Sequence, residues 1–318
     1  MNIFSSKIIH LLILSFVSTS LLAGNLSETH ISLDTPQLTL KRDSGKSITY
    51  LYDNGGTANV VDNDTSLDTT NNFNNIEPGY RISASNKLSS SWSFNAQFVN
   101  NNMYESRSFK DTNGQLEIFQ LSLTENFDSA HSVQASYKSD FDADEVSAIY
   151  NFSDNVDFIL GFGYMTFVEK MQIISDDTGA GATGIGVYTI LTDNLLIGLH
   201  AGIALDFKPT NNTGVYLIGK IGYYNNLANQ SQKVSDVSFQ RFNSGSTQEN
   251  STVTELRMGL SYFYSKEIAL NLGYQSFNIS NIALAETHFN TSSAGINNVF
   301  ANDNLEWSGV SFGFNYIF

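Results

Sequence analysis

The chain of 318 residues has no cysteine, 3 prolines and 2 tryptophans. The absence of cysteine removes disulfide staples, thiolate metal sites and cysteine nucleophiles from consideration. Positive charge is also scarce. Sixteen Lys and Arg stand against 31 Asp and Glu, for a net charge of −15, which excludes the basic surface that nucleic acid requires. Long apolar runs are missing too: beyond residue 24 none approaches about eighteen residues, so helical membrane spans are excluded and any spanning falls to strands. A hydrophobic share of 41% and a mean hydropathy of −0.15 match an ordinary soluble protein. Membrane strands give the same average, because only alternate residues face lipid.

The amino terminus carries Lys7, an apolar stretch from Ile8 to Leu22 diluted by His10 and serines, and then Ala23-Gly24. This reads as a secretory signal peptide over 1–23, with 24–318 as one mature domain. At fifteen residues or so, the stretch is short for a membrane helix needing about twenty.

What is abundant is glycine (23), phenylalanine (23) and tyrosine (15), a balance suited to many strands with aromatic girdles and small inward residues. Val310, Phe312, Phe314, Tyr316 and Phe318 alternate with Ser311, Gly313, Asn315 and Ile317. One face is apolar and the other mostly small or polar, as for a strand with lipid outside and a polar interior. The pattern resembles the C-terminal targeting signal of Gram-negative outer-membrane β-barrels and implies insertion through the barrel assembly machinery. The same spacing would also fit the last strand of a soluble sandwich; the exported amino terminus favours the barrel.

The two-residue period recurs along the chain. Tyr80, Ile82 and Ala84 oppose Arg81, Ser83 and Ser85, and a short turn leads to Trp92, Phe94, Ala96 and Phe98. Val146 to Phe152 and Phe158 to Tyr164 flank a tight turn at Ser153-Asp154-Asn155. Further strands are expected over 185–207, 215–223, 256–262 and 268–274, with a weakly patterned first strand over 31–42. Residues 44–75, 101–131 and the segment before Ser251 read as long polar loops. The expectation is an all-β, antiparallel, up-and-down transmembrane barrel of ten strands, with long extracellular loops and short periplasmic turns. Splitting 185–207 at Thr192-Asp193-Asn194 would make twelve.

By the same alternation Arg81, Glu145, His200, Lys220, Glu255 and Arg257 point inward and are the candidate pore-lining residues. Charges at membrane depth must be wet or paired, so they either line a water path for small solutes or ions, or pair and plug the barrel. Inward Gly161, Gly163, Gly198 and Gly202 leave room for water or relieve curvature strain.

Other sites read weakly. Asp140, Asp142 and Asp144 would face outward above the lipid, where carboxylates could hold divalent cations against lipopolysaccharide phosphates; a solvated strand extension is the plainer reading. Asp62, Asp64, Ser66 and Asp68 have EF-hand spacing, but Leu67 replaces the turn glycine and Phe73 the bidentate glutamate. No metal or other cofactor is expected. Mature histidines are His30, His131, His200 and His288, and with no nucleophile elbow or metal-spaced pair the chain does not read as an enzyme.

Several phrases resemble the β-barrel porin-7 family: Leu38 to Asp43, Glu77-Pro78-Gly79-Tyr80-Arg81, Leu160 to Tyr164, Asn194 to Gly198, Gly219 to Asn225, Glu255 to Gly259 and the closing strand. The resemblance implies a porin-like outer-membrane barrel surrounded by lipid and lipopolysaccharide, with no catalytic residues to carry over. The competing reading is a non-conducting structural or adhesion barrel acting through its loops.

Overall fold

The computed structural model describes residues 29–42, 47–48, 50–52, 60–61, 67–68, 76–110, 116–118, 132–176, 184–235, 240–285, 299 and 301–317. Among them ten long strands form one antiparallel ring. They are β1 (Thr29–Arg42), β2 (Tyr80–Lys87), β3 (Trp92–Lys110), β4 (Ser132–Ser153), β5 (Val156–Asp176), β6 (Ile185–Thr210), β7 (Thr213–Ser235), β8 (Gln240–Phe263), β9 (Ile268–Ile282) and β10 (Asp303–Ile317). Each pairs with its sequence neighbours, and β10 returns to β1 in register from His30↔Ile317 to Arg42↔Leu305. That last pairing leaves the sheet no edge within lipid, where an unpaired N–H or C=O costs several kcal/mol. No helix among the described residues is long and apolar enough to cross a membrane.

Thr192-Asp193-Asn194 do not turn. They pair straight across to β5 and β7 within the 26 residues of β6, so the ring has ten strands and not twelve. The signal-peptide segment, the 62–66 part of the EF-hand-like run, His131, His288 and Phe318 lie outside the described residues.

The outward face sorts by height. Beside the short turns, large apolar residues stand exposed at alternate positions: Phe158, Leu160 and Phe162 on β5, Leu256, Met258, Leu260 and Tyr262 on β8, Val310, Phe312 and Phe314 on β10. Trp92–Tyr150 and Phe152–Phe158 ring pairs, with centroids 5.0 and 5.4 Å apart, border this belt at the turn end. On β7 the exposed run from Val215 to Tyr223, at about 3.3 Å per residue and a tilt of about 40°, rises roughly 20 Å, close to the height of an outer-membrane belt.

The strands do not stop where the belt does. A 26-residue strand at about 3.3 Å per residue, tilted about 40°, rises some 65 Å along the axis. Strands β3 to β8 therefore project far beyond lipid, through segments 101–110 and 240–251 that the sequence reading assigned to loops. There the outward face meets water, so the apolar–polar contrast that marks a membrane strand is gone.

Candidate functional site

The interior is stacked in layers. Nearest the short turns, small and polar residues such as Asn95, Asn271, Ser261 and Ser83 face inward, with Ser261 Oγ donating to Asn271 Oδ1 at 2.8 Å. Above them lies the charged layer. Alternation places Arg81 (β2), Glu145 (β4), His200 (β6), Lys220 (β7), and Glu255 and Arg257 (β8) on inward faces, and a ten-stranded ring is narrow enough for long side chains from opposite walls to meet.

Glu255 is the hub. Its Oε1 accepts from Arg81 Nη2 at 2.7 Å and lies 3.1 Å from Arg257 Nε, and its Oε2 is paired with Lys220. Lys220 also bonds Glu145, whose Oε2 accepts from Gln97 Nε2 at 3.0 Å. The second Arg81 nitrogen, Nη1, donates to Gln275 Oε1 at 2.5 Å. Asp34, inward on β1, is within electrostatic reach of Arg81 and Arg257. All six sequence candidates are thus inward. Five of them form one ion-paired net, and His200 sits beside it, its Nε2 3.0 Å from Ser147 Oγ and its Nδ1 3.4 Å from Tyr224 OH. Arg81 and Glu255 are almost completely sealed from solvent, a position a guanidinium and a carboxylate tolerate only when each satisfies the other.

The inward glycines are filled space. A Cβ on Gly163, Gly198 or Gly222 would collide with the Tyr224 ring or backbone, and one on Gly161 with His200 and Ser147. Tyr216 does the same over Gly259 and Gly273. Each tyrosine lies across the notch its neighbours' missing side chains leave.

Over the charged layer sits an aromatic plug. Trp307 (β10) stacks on Phe141 (β4) with centroids 4.4 Å apart, meets Phe167 (β5) edge-on at 5.1 Å, and Phe141 meets Phe277 (β9) at 5.9 Å. Such pairs add about 0.5–1.5 kcal/mol each beyond area burial. The Arg81 guanidinium lies 5.6 Å from the Phe277 centroid, joining the two layers. Leu38, Val99, Met165 and Leu196 complete the seal.

The chain itself forms the third layer. At Asn281, φ is 55°, a left-handed conformation that asparagine tolerates better than most residues. It directs Ile282 to Ala285 into the barrel, where these residues are fully buried. Their backbone groups find side-chain partners, as buried amides must. Asn194 donates to Ala283 O at 2.8 Å and accepts from Ala283 N at 2.9 Å; Glu169 accepts from Ala285 N at 2.8 Å; Gln230 donates to Leu284 O at 3.3 Å. Asn194→Leu removes both bonds to Ala283 at once. Hydrogen exchange at Ala283 and Ala285 is expected to accelerate about tenfold or more, from about 1–3 kcal/mol for stranded buried groups, with the belt strands unchanged.

The acidic row on β4 is outward, but it makes no cation site. Asp142 accepts from Asn100 at 2.7 Å, Asp140 pairs with Lys138 at 2.6 Å, and Asp144 is buried between strands. Among the described residues no group of three His, Asp or Glu side chains is arranged to hold a metal.

Sequence reasoning missed Asp34, Gln97, Gln275, Tyr216 and Tyr224. The last four share the parity of residues it placed inward on the same strands, so the signal was present; for Asp34 the weakly patterned first strand offered none.

No family model matches the chain, and no curated protein matches it either. Solved structures do. The outer-membrane protease OmpT of Escherichia coli superposes with a TM-score of 0.54 at 12% identity, over 92% of this chain and 98% of that one. The chain has the fold of an outer-membrane β-barrel. The translocator domain of the autotransporter NalP from Neisseria meningitidis (TM-score 0.40, 11% identity, 98% of each chain) and Neisserial surface protein A (0.31, 11%, 91% and 97%) are more distant.

Proposed function

We propose that this protein is an integral outer-membrane barrel with a sealed lumen, acting through the rim it raises above the lipid. The observation that carries this reading is the filled interior: an ion-paired layer, an aromatic plug and an inward-folded stretch of chain lie one above another across the same ring. The apolar belt and the likeness in fold support the outer-membrane setting, and the apolar amino-terminal segment fits export through a cleaved signal peptide. Lipid and lipopolysaccharide then surround the belt, and the β10 face of Val310, Phe312, Phe314 and Tyr316 fits delivery by the assembly machinery.

The motif resemblance to the porin-7 family favours passive diffusion through the charged layer instead. Against it stands the pairing of those charges with one another, since each of the five has a partner of opposite sign within the net. Catalysis is not part of this reading: His200 is held by Ser147 and Tyr224 at membrane depth, away from the rim, and His131 and His288 lie outside the described residues.

Purified protein in planar bilayers tests the choice. The sealed reading expects no conductance steps above the leak of the bare membrane. Stable steps whose ion preference reverses in Lys220→Glu would establish a pore lined by these residues.

A further inference from the structure

Among the described residues the rim has an open edge. β8 pairs with β7 over its full length, from Ser235↔Gln240 to Thr213↔Tyr262, but pairing with β9 begins only at Val253↔Ile279. Ser280 and Asn281 add the last bonds, among them Thr252 N to Ser280 Oγ at 3.1 Å and Asn281 Nδ2 to Asn250 O at 2.8 Å. The chain then turns into the barrel. Among the described residues no strand pairs with Gln240–Asn250 on that side, and side chains along this stretch are exposed or half-exposed on both faces.

The bonds at Thr252 and Asn250 fix which backbone groups point away from β7. Direction alternates along a strand, so the N–H and C=O of Phe242, Ser244, Ser246 and Gln248 face outward from the sheet edge. Soluble edges of this length are ordinarily guarded by charge or proline. The run Phe242–Gln248 has neither. The upper part of β3, which passes beyond its pairing with β2 at Tyr80↔Asn100, carries Glu105, Arg107 and Lys110.

The unguarded edge is also complementary to itself. In antiparallel pairing about Gly245, Phe242 faces Gln248 and Ser244 faces Ser246 of the second copy, each pair exchanging both backbone bonds. Arg241 and Glu249 face each other at both ends, on the same side of the sheet, where opposite charges favour pairing. The two-fold axis of that arrangement runs perpendicular to the strands, so the second barrel is upside down relative to the first. A neighbour in the same membrane cannot present β8 that way, because its strands run in the same sense and tilt about 40° from the normal.

We propose that the β8 edge joins this protein to a second copy of itself in a facing membrane, forming one sheet across the gap. The proposal rests on the reading above that the rim projects from the outer membrane and is the working part of the molecule.

Vesicles reconstituted with the pure protein, free of lipopolysaccharide, test it through light scattering and mixing of two fluorescent populations. Wild-type vesicles are expected to cluster. Ser246→Pro removes an edge N–H while leaving the bonds to β7, so clustering should fall to the level of empty vesicles. Arg241→Glu and Glu249→Arg vesicles should each fail to cluster alone yet cluster when mixed, since the mixture restores opposite charges at both ends. Strand circular dichroism on each variant confirms an intact barrel. Wild-type vesicles that stay dispersed, variants that cluster like wild type, or crosslinks confined to lateral pairs within one vesicle would each overturn the proposal. Ion flux through the same vesicles reports separately on the lumen. Leaky vesicles that still cluster contradict only the sealed interior, and tight vesicles that never cluster contradict only the homotypic edge.

Discussion

Glu255→Ala is expected to destabilise the folded barrel by about 3–5 kcal/mol, the range for removing one partner of a buried ion pair. Glu255 contacts Arg81, Lys220 and Arg257 at once. Without it three cations share the layer with Glu145 and the more distant Asp34. The guanidinium of Arg81, almost wholly buried, is left with Gln275 and the face of Phe277, neither of which carries a compensating charge. Glu255→Gln keeps the shape and removes the charge, so it should recover little of the loss. Urea titration of folding into lipid vesicles, followed by tryptophan fluorescence, measures both. An alanine variant within about 0.5 kcal/mol of wild type would mean that the layer is hydrated and its charges are satisfied by water.

Trp307→Ala should cost a similar amount, about 3–5 kcal/mol, for a different reason. The indole is 1% exposed and packs against Phe141 and Phe167, so truncation loses both its transfer free energy and the cavity left in a close-packed plug. Trp307→Phe fills much of that space and should recover more than half of the loss. The same titration decides, and here the charged layer beneath is untouched, so bilayers containing Trp307→Ala should remain non-conducting. A loss below about 1 kcal/mol would show that the plug is loosely packed.

The sequence carried the lipid-facing part of this fold well and the rest poorly, and the division is physical. Between two different solvents the alternation is sharp. Phe158, Leu160 and Phe162 face lipid while Gly161 and Gly163 face the interior, so strand, phase and inward residues can all be read. Above the belt both faces of a strand such as Gln240–Asn250 contact water, and nothing in its composition separates it from a polar loop.

The candidate site was legible in the same partial way. Parity put Arg81, Glu145, His200, Lys220, Glu255 and Arg257 inside, but it says nothing about depth around the ring, and so could not choose between a wet path and a paired net. Tyr216 and Tyr224 fill the glycine notches, and their inward phase was readable, but the reach of a ring across a neighbouring strand was not. Least visible was the turn at Asn281. Ile282-Ala283-Leu284-Ala285 is a short apolar run that would suit a strand as well as a plug.

The sealed interior can be measured directly, because a chain without cysteine accepts single thiol probes against a silent background. Ser147→Cys places one buried thiol beside His200, just on the turn side of the charged layer, and Ser89→Cys places another in an exposed turn as a positive control. In folded protein a membrane-impermeant maleimide is expected to label position 89 within minutes and to leave position 147 unreacted until the barrel is unfolded. Labelling of position 147 in the folded protein at a rate near that of position 89 would contradict the sealed interior, since it would show water reaching the buried side of the charged layer.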